Sequence, residues 1–121
     1  MEYLLLLHDD ETRWGRMSEQ ELGRGMGAYA AYTSALQEAG VFVGGNPLAA
    51  TTTATIVRVT SDGKTSVLDG PYAETKEQLG GYYLIDVPDL DAAISWAARC
   101  PCASSGTVEV RPIAQIPTPA Q

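Results

Sequence analysis

Cysteine is scarce in this chain. Cys100 and Cys102, either side of Pro101, are its two cysteines. A bridge across one residue would be strained, and the spacing is not C-x-x-C. Small buried thiols are therefore expected, with a metal or redox pair as the alternative. Basic residues are few as well. Lys plus Arg number 8 against 15 Asp plus Glu, for a net charge of −7 and a pI near 4.5. Such a surface argues against direct nucleic-acid binding and against attachment to anionic membranes. No apolar run approaches the roughly 18 residues that span a bilayer. The start, Met1-Glu2-Tyr3, is acidic rather than basic, and charge returns soon after Leu7. That is not a secretory signal, and a cytoplasmic protein is expected. Walker loops, G-x-G-x-x-G and G-x-S-x-G are missing, which leaves nucleotide cradles and serine-hydrolase chemistry without support. Internal repeats and low-complexity segments are also absent.

What is present suffices for one domain. Hydrophobic residues make up 45% of the 121 residues. A compact monomer of 12.9 kDa should expose about 6,300 Å² and bury nearly 70% of its unfolded surface. Tyr3–Leu7 is long enough for a buried strand and too short for a helix. His8–Thr12 follows as a polar loop. Ser18 and Glu21 form a capping box, with Met17 and Leu22 as its hydrophobic staple. Leu22, Met26, Tyr29, Thr33 and Leu36 then mark one helical stripe, and Gly40 ends it. Gly23, Gly25 and Gly27 weaken the first half of that helix unless close packing compensates. Val41–Val43 reads as a strand broken by Gly44-Gly45-Asn46-Pro47. Thr53–Val59 and Thr65–Leu68 are β-rich and flank the Asp62-Gly63 turn, a hairpin. Tyr82–Val87 is a strand stopped by Pro88. Asp89 caps a helix with Leu90, Ala93, Ile94 and Ala97 on its stripe, and Pro101 ends it. Thr107–Ile113 alternates Val108 and Val110 against Glu109 and Arg111, a half-buried strand. Residues 1–113 thus form the domain, and residues 114–121 a flexible tail.

The order β, α, β, hairpin, β, α, β predicts an α+β, ferredoxin-like sandwich with an inserted hairpin. Two helices cover one face of the sheet. The other face would stay bare, so a C2 homodimer with the sheets packed face to face is expected.

Chemistry concentrates in Asp69-Gly70-Pro71-Tyr72-Ala73-Glu74-Thr75-Lys76-Glu77-Gln78-Leu79-Gly80-Gly81-Tyr82. It holds carboxylates, an ammonium, a hydroxyl and an aromatic ring, behind a sharp bend at Gly70-Pro71. Gly80 and Gly81 let another backbone or a ligand approach the next strand. One reading is a pocket with Asp69 as acid, base or anchor. The other is a capped turn, with Asp69 bonding nearby N–H groups and Glu74, Lys76 and Glu77 solvated. Tyr82 and Tyr83 point to opposite faces of a strand, so at most one of them should line a given pocket.

The run DGPYAETKEQLGGYYLIDVPDLDAAISWAARCP closely resembles the DGPF (DGPFAETKE) branch of the YCII-related proteins. Tyr72 stands where that branch usually has Phe. MEYLLLLHDDE, LQEAGVFVGGNPL and GTVEVRP extend the resemblance from about Tyr3 to Ile113. It implies a dimeric α+β barrel and mostly unestablished activities. It further implies an accessory or regulatory role beside extracytoplasmic-function sigma factors. More distant YCII-type proteins resemble enzymes with a His–Asp pair. Their Asp carries over to Asp69. Their His lies on the first helix, which here has none and offers Tyr29 and Tyr32 instead.

The single histidine, His8, ends the first strand and could pair with Asp69, the carboxylate orienting the imidazole. The alternative is a strand-end residue without a chemical role. Metal binding by His8-Asp9-Asp10-Glu11 is disfavoured, because consecutive positions cannot converge on one ion. Two functions follow. The first is a small-ligand-binding or regulatory accessory protein, with Tyr29, Tyr32, Pro71, Tyr72, Glu74, Lys76, Glu77 and Gly81 at the site and a sigma factor as partner. The second is a cofactor-independent lyase or isomerase with Asp69 and His8 as its acid–base groups and Lys76 steadying a developing anion.

Overall fold

The computed structural model describes residues 1–117. Residues 118–121, the end of the expected tail, lie outside the described residues. Six strands, four α-helices and a short 3₁₀ turn at Thr51–Thr53 follow one another along these residues. Strand β1 (Glu2–Asp9) sits at the centre of a four-stranded antiparallel sheet of order β2–β5–β1–β6. It lies between β5 (Gln78–Asp86) and β6 (Thr107–Pro112), and β2 (Phe42–Pro47) flanks β5 at the edge. Helices α2 (Glu19–Glu38) and α3 (Leu90–Arg99) make the two long crossovers. This is a mixed α+β architecture with the strand order of a ferredoxin-like sandwich.

Period-two alternation builds the core. Tyr3, Leu5 and Leu7 are buried, while Leu4 and Leu6 are half-buried on the other face. Tyr83 and Ile85 of β5 fall beside Leu5 and Tyr3, on the buried face. Tyr32 and Leu36 close over them from α2, and Ala93 and Ala97 from α3. The Tyr32 hydroxyl donates to the Trp96 carbonyl at 2.7 Å, so a buried polar tip is satisfied.

Helix ends follow the sequence. Ser18 accepts from the Glu21 N–H and Glu21 reaches back to Ser18, the expected capping box. At the other end the N–H groups of Gly40 and Val41 bond to the carbonyls of Gln37 and Leu36, a Schellman closure. Asp89 caps α3. Met26 leaves its stripe and is 68% exposed, and Leu90 and Ile94 of α3 are exposed too. Small Ala93 and Ala97 bring α3 close to the sheet and leave the larger side chains at its margin.

Three local expectations are corrected. β2 does not stop at Gly44 but runs to Pro47, because a bulge near Val43 absorbs the irregularity and Gly45 pairs with Tyr83. The polar loop after Leu7 is shorter than expected. β1 reaches Asp9, and helix α1 (Thr12–Gly15) follows, its start held by Asp10 accepting from the Thr12 N–H and hydroxyl. A second short helix, α4 (Cys102–Ser105), fills the turn after Pro101. Cys100 and Cys102 are free and buried.

Among the described residues, strands β3 (Thr55–Val59) and β4 (Thr65–Asp69) pair only with each other, as a separate two-stranded sheet. Gly63 takes φ +84° in the expected turn. At the base, Gly70 takes φ +104° and its N–H donates to the Ala54 carbonyl at 2.7 Å. The bend after Asp69 therefore locks the hairpin shut, a job only glycine does without strain. Val57, Val59, Val67 and Leu68 are all exposed along this arm. The chain exposes 8398 Å², well above the roughly 6,300 Å² expected of a compact monomer of its mass.

Candidate functional site

Two concavities lie on opposite faces of the sheet. The larger is an aromatic-walled cleft of about 680 Å³ between α1, α2 and the β2–β5 edge. Its walls include Trp14, Tyr29, Phe42, Tyr82 and Tyr83. Two glycines make the close packing possible. A Cβ on Gly25 would stand 2.8 Å from Cη2 of Trp14, so the glycine lets the indole lie against α2. A Cβ on Gly45 would stand 2.8 Å from Cδ1 of Tyr83. Trp14 then leans on Tyr29, ring centroids 6.4 Å apart.

The polar groups of the cleft are few and mostly committed. Tyr83 and Thr33 share a hydrogen bond of 2.9 Å, and the Thr33 hydroxyl also donates to the Tyr29 carbonyl. Asn46 donates to the Tyr82 hydroxyl at 3.0 Å. Asp9 accepts from Arg13 at 2.7 Å, from Ser105 at 2.8 Å and from the Asp10 N–H. Burial pushes its carboxyl up, but those hydrogen bonds together outweigh burial and hold it below the usual carboxylate value. Glu11 accepts from the Thr51 N–H at 3.0 Å and from the Thr51 hydroxyl at 2.5 Å, which pins α1 to the 3₁₀ turn. The Tyr29 hydroxyl has no hydrogen-bond partner among the described residues. Burial, reinforced by the nearby Cys102, Cys100, Asp9 and Tyr83, raises it well above a free phenol, so it stays protonated. Burial likewise pushes the Cys102 thiol up to about 11 and keeps it unreactive.

The smaller recess, about 650 Å³ and wide open, is lined by His8, Thr75, Lys76, Glu77, Thr107 and Glu109. His8 Nε2 lies 3.0 Å from a Glu109 carboxylate oxygen. Glu77 accepts from the Thr107 hydroxyl at 2.9 Å.

The expected site residues are thus divided. Tyr29 and Gly81 line the cleft; His8, Lys76 and Glu77 line the recess. Tyr32 lies in the core, its ring edge-on to Tyr83 at 5.2 Å. Asp69 is exposed at the end of β4, lines neither concavity and has no side-chain hydrogen bond among the described residues. The carboxylate beside His8 is Glu109. Tyr72 is 77% exposed, with the Arg58 guanidinium 5.8 Å from its ring centre. Glu74 is exposed and Pro71 half-buried. Tyr82 and Tyr83 both line the cleft, contrary to the expectation from strand alternation, and Asn46 and Pro47 at the end of β2 line it with them.

Sequence reasoning assigns none of Asp9, Glu11, Trp14, Thr33 and Glu109 to a ligand site, yet all five line one of the two concavities. The alternation of β6 carried a signal for Glu109, since its outward residues share a face with His8. Among the described residues no helix is long and apolar enough to cross a membrane, and no group of three or more His, Cys, Asp or Glu could hold a metal ion.

Comparison with known proteins matches residues 1–117 to the YCII-related domain. An uncharacterised protein of Rhizobium meliloti (strain 1021), R00369, is 42% identical over 116 residues, covering 94% of this chain and 93% of that protein. The chain belongs to the YCII-related family.

Proposed function

We propose that this protein binds a small, largely apolar molecule in the aromatic cleft and works as a regulatory or accessory protein of the DGPF branch. The cleft itself carries this reading. It has the size of a ligand site, mainly apolar walls and a few fixed polar groups, with the Tyr29 hydroxyl free to orient a guest. Its parts come from α1, α2, α4, β1, β2 and β5, so occupancy is felt across the fold. A homodimer completes the proposal. Leu4 pairs with Leu84 on the face away from the helices, and a second copy of that face would cover them and close a barrel. The surface in excess of a compact monomer supports this pairing. An extracytoplasmic-function sigma factor is the partner that the DGPF resemblance supplies, and the cytoplasm the compartment. The test is a thermal-shift screen of a metabolite panel, repeated with Ala30→Trp, which fills the cleft from the exposed side of α2. A hit lost in the variant supports the reading. A hit retained by Ala30→Trp overturns it.

A second reading rests on the His8–Glu109 pair. Glu109 orients the imidazole, and Lys76 stands in the same recess to steady an anion, the equipment of a cofactor-independent lyase or isomerase. Here Glu109 takes the orienting role expected of Asp69. Turnover of any panel compound that is lost in His8→Gln and retained in Asp69→Asn would favour it.

A further inference from the structure

Resting on the cleft reading above, we infer that the guest is an organic ammonium cation with an aromatic or alicyclic body. The charge inventory of the cleft carries the inference. Its walls hold two carboxylates, Asp9 and Glu11, and no Lys, Arg or His. Asp9 is neutralised by Arg13 at 2.7 Å, so that pair adds no net charge. Glu11 is in no ion pair among the described residues. Two hydrogen bonds from Thr51 fix its carboxylate, and these leave acceptor capacity on both oxygens.

The aromatic walls add to the same preference, because a ring's negative face attracts a cation. Such stacking already occurs on this protein, with Arg13 5.5 Å from the Trp14 ring centre and Arg99 4.2 Å from that of Trp96. The cleft tyrosines do not change the balance. Tyr29 and Tyr83 are held protonated, first of all by burial, so they offer neutral rings and hydroxyls. A carboxylate or phosphate guest would lose its water and meet no unpaired cation in return, since Arg13 beside Trp14 is already bound to Asp9. The net charge of −7 would repel it before it arrived. An uncharged guest would fill the space but leave the Glu11 carboxylate without a counter-charge.

The experiment uses three probes of similar size and different charge on the full chain: phenyltrimethylammonium, its carbon analogue tert-butylbenzene, and benzoate. Affinities are read by ligand-observed NMR. The ammonium should bind about ten-fold tighter than tert-butylbenzene, and benzoate should not compete. Glu11→Gln keeps an acceptor for Thr51 and should cut the ammonium's advantage several-fold without altering tert-butylbenzene binding. Equal or tighter binding of tert-butylbenzene, or competition by benzoate, overturns the cation while the cleft reading stands. Binding of none of the three removes the cleft reading and the cation with it. The comparison among probes on the native chain decides the matter even if the variant fails to fold.

Discussion

Three glycines lie in the first half of α2, and the structure gives them different tasks. A Cβ at Gly23 or Gly27 would meet nothing within 4 Å, whereas one at Gly25 would stand 2.8 Å from Trp14. Gly23→Ala and Gly27→Ala should each stabilise the helix by about 0.8–1 kcal/mol, the ordinary difference in helix propensity. For 121 residues, an unfolding entropy of about 2.1 cal/mol/K per residue makes 1 kcal/mol equal to about 4 °C in Tm. Gly25→Ala receives the same propensity gain but pushes the indole off the helix. Trp14 then loses its lean against Tyr29, an aromatic contact of about 0.5–1.5 kcal/mol. The two contributions cancel, so Tm should stay within about 2 °C of wild type. Thermal unfolding by circular dichroism reads the three stabilities, and tryptophan emission reads the displaced Trp14. A Gly25→Ala protein as stabilised as the other two, with unchanged emission, would refute the argument that this glycine exists to seat the cleft wall.

Other outcomes follow from the same geometry. A Cβ on Gly106 would fall 2.1 Å from the His8 carbonyl oxygen, so Gly106→Ala must move backbone and should cost about 3 kcal/mol in urea unfolding. Gly15→Ala, at the last residue of α1 with open space around it, meets no such clash and should be neutral to slightly stabilising. The Asp9 carboxyl is depressed below 3.8 in the folded state. Its contribution to stability is therefore full above that value and is lost as pH falls through the lower folded value. Asp9→Asn should flatten this part of the acid side of a stability–pH curve, and an unchanged slope would show that the Arg13 and Ser105 contacts contribute nothing. Cys102, pushed up to about 11 by burial, should resist a thiol reagent at pH 8 until urea unfolds the chain; rapid labelling of the native protein would contradict its burial.

Much of the frame was legible because local chemistry and tertiary demand agree there. Ser18 and Glu21 announce a helix start that nothing overrides, and Tyr3, Leu5 and Leu7 show their buried face by alternation alone. Asp62-Gly63 marks its turn for the same reason. The sequence makes β2 look short because Gly44-Gly45-Asn46-Pro47 is breaker chemistry, yet Gly45 is required there by the Tyr83 ring beside it. Tertiary packing outweighed propensity. The site was less legible for a related reason. A cleft is made by residues far apart in sequence, so Glu11 meets Thr51 and Trp14 meets Gly25 with no motif joining them. The special residues of Asp69-Gly70-Pro71 serve the backbone, which closes a hairpin there. Lys76 and Glu77, further along the same stretch, share the recess of His8.

The most direct measurement is amide chemical-shift mapping of the isotopically labelled full chain during titration with benzyl alcohol, an uncharged aromatic probe. Saturable shifts concentrated at Trp14, Tyr29, Thr33, Gly45 and Tyr83 are the result this account predicts. Shifts concentrated at His8, Lys76 and Glu109, or shifts that never saturate at any residue, would contradict it.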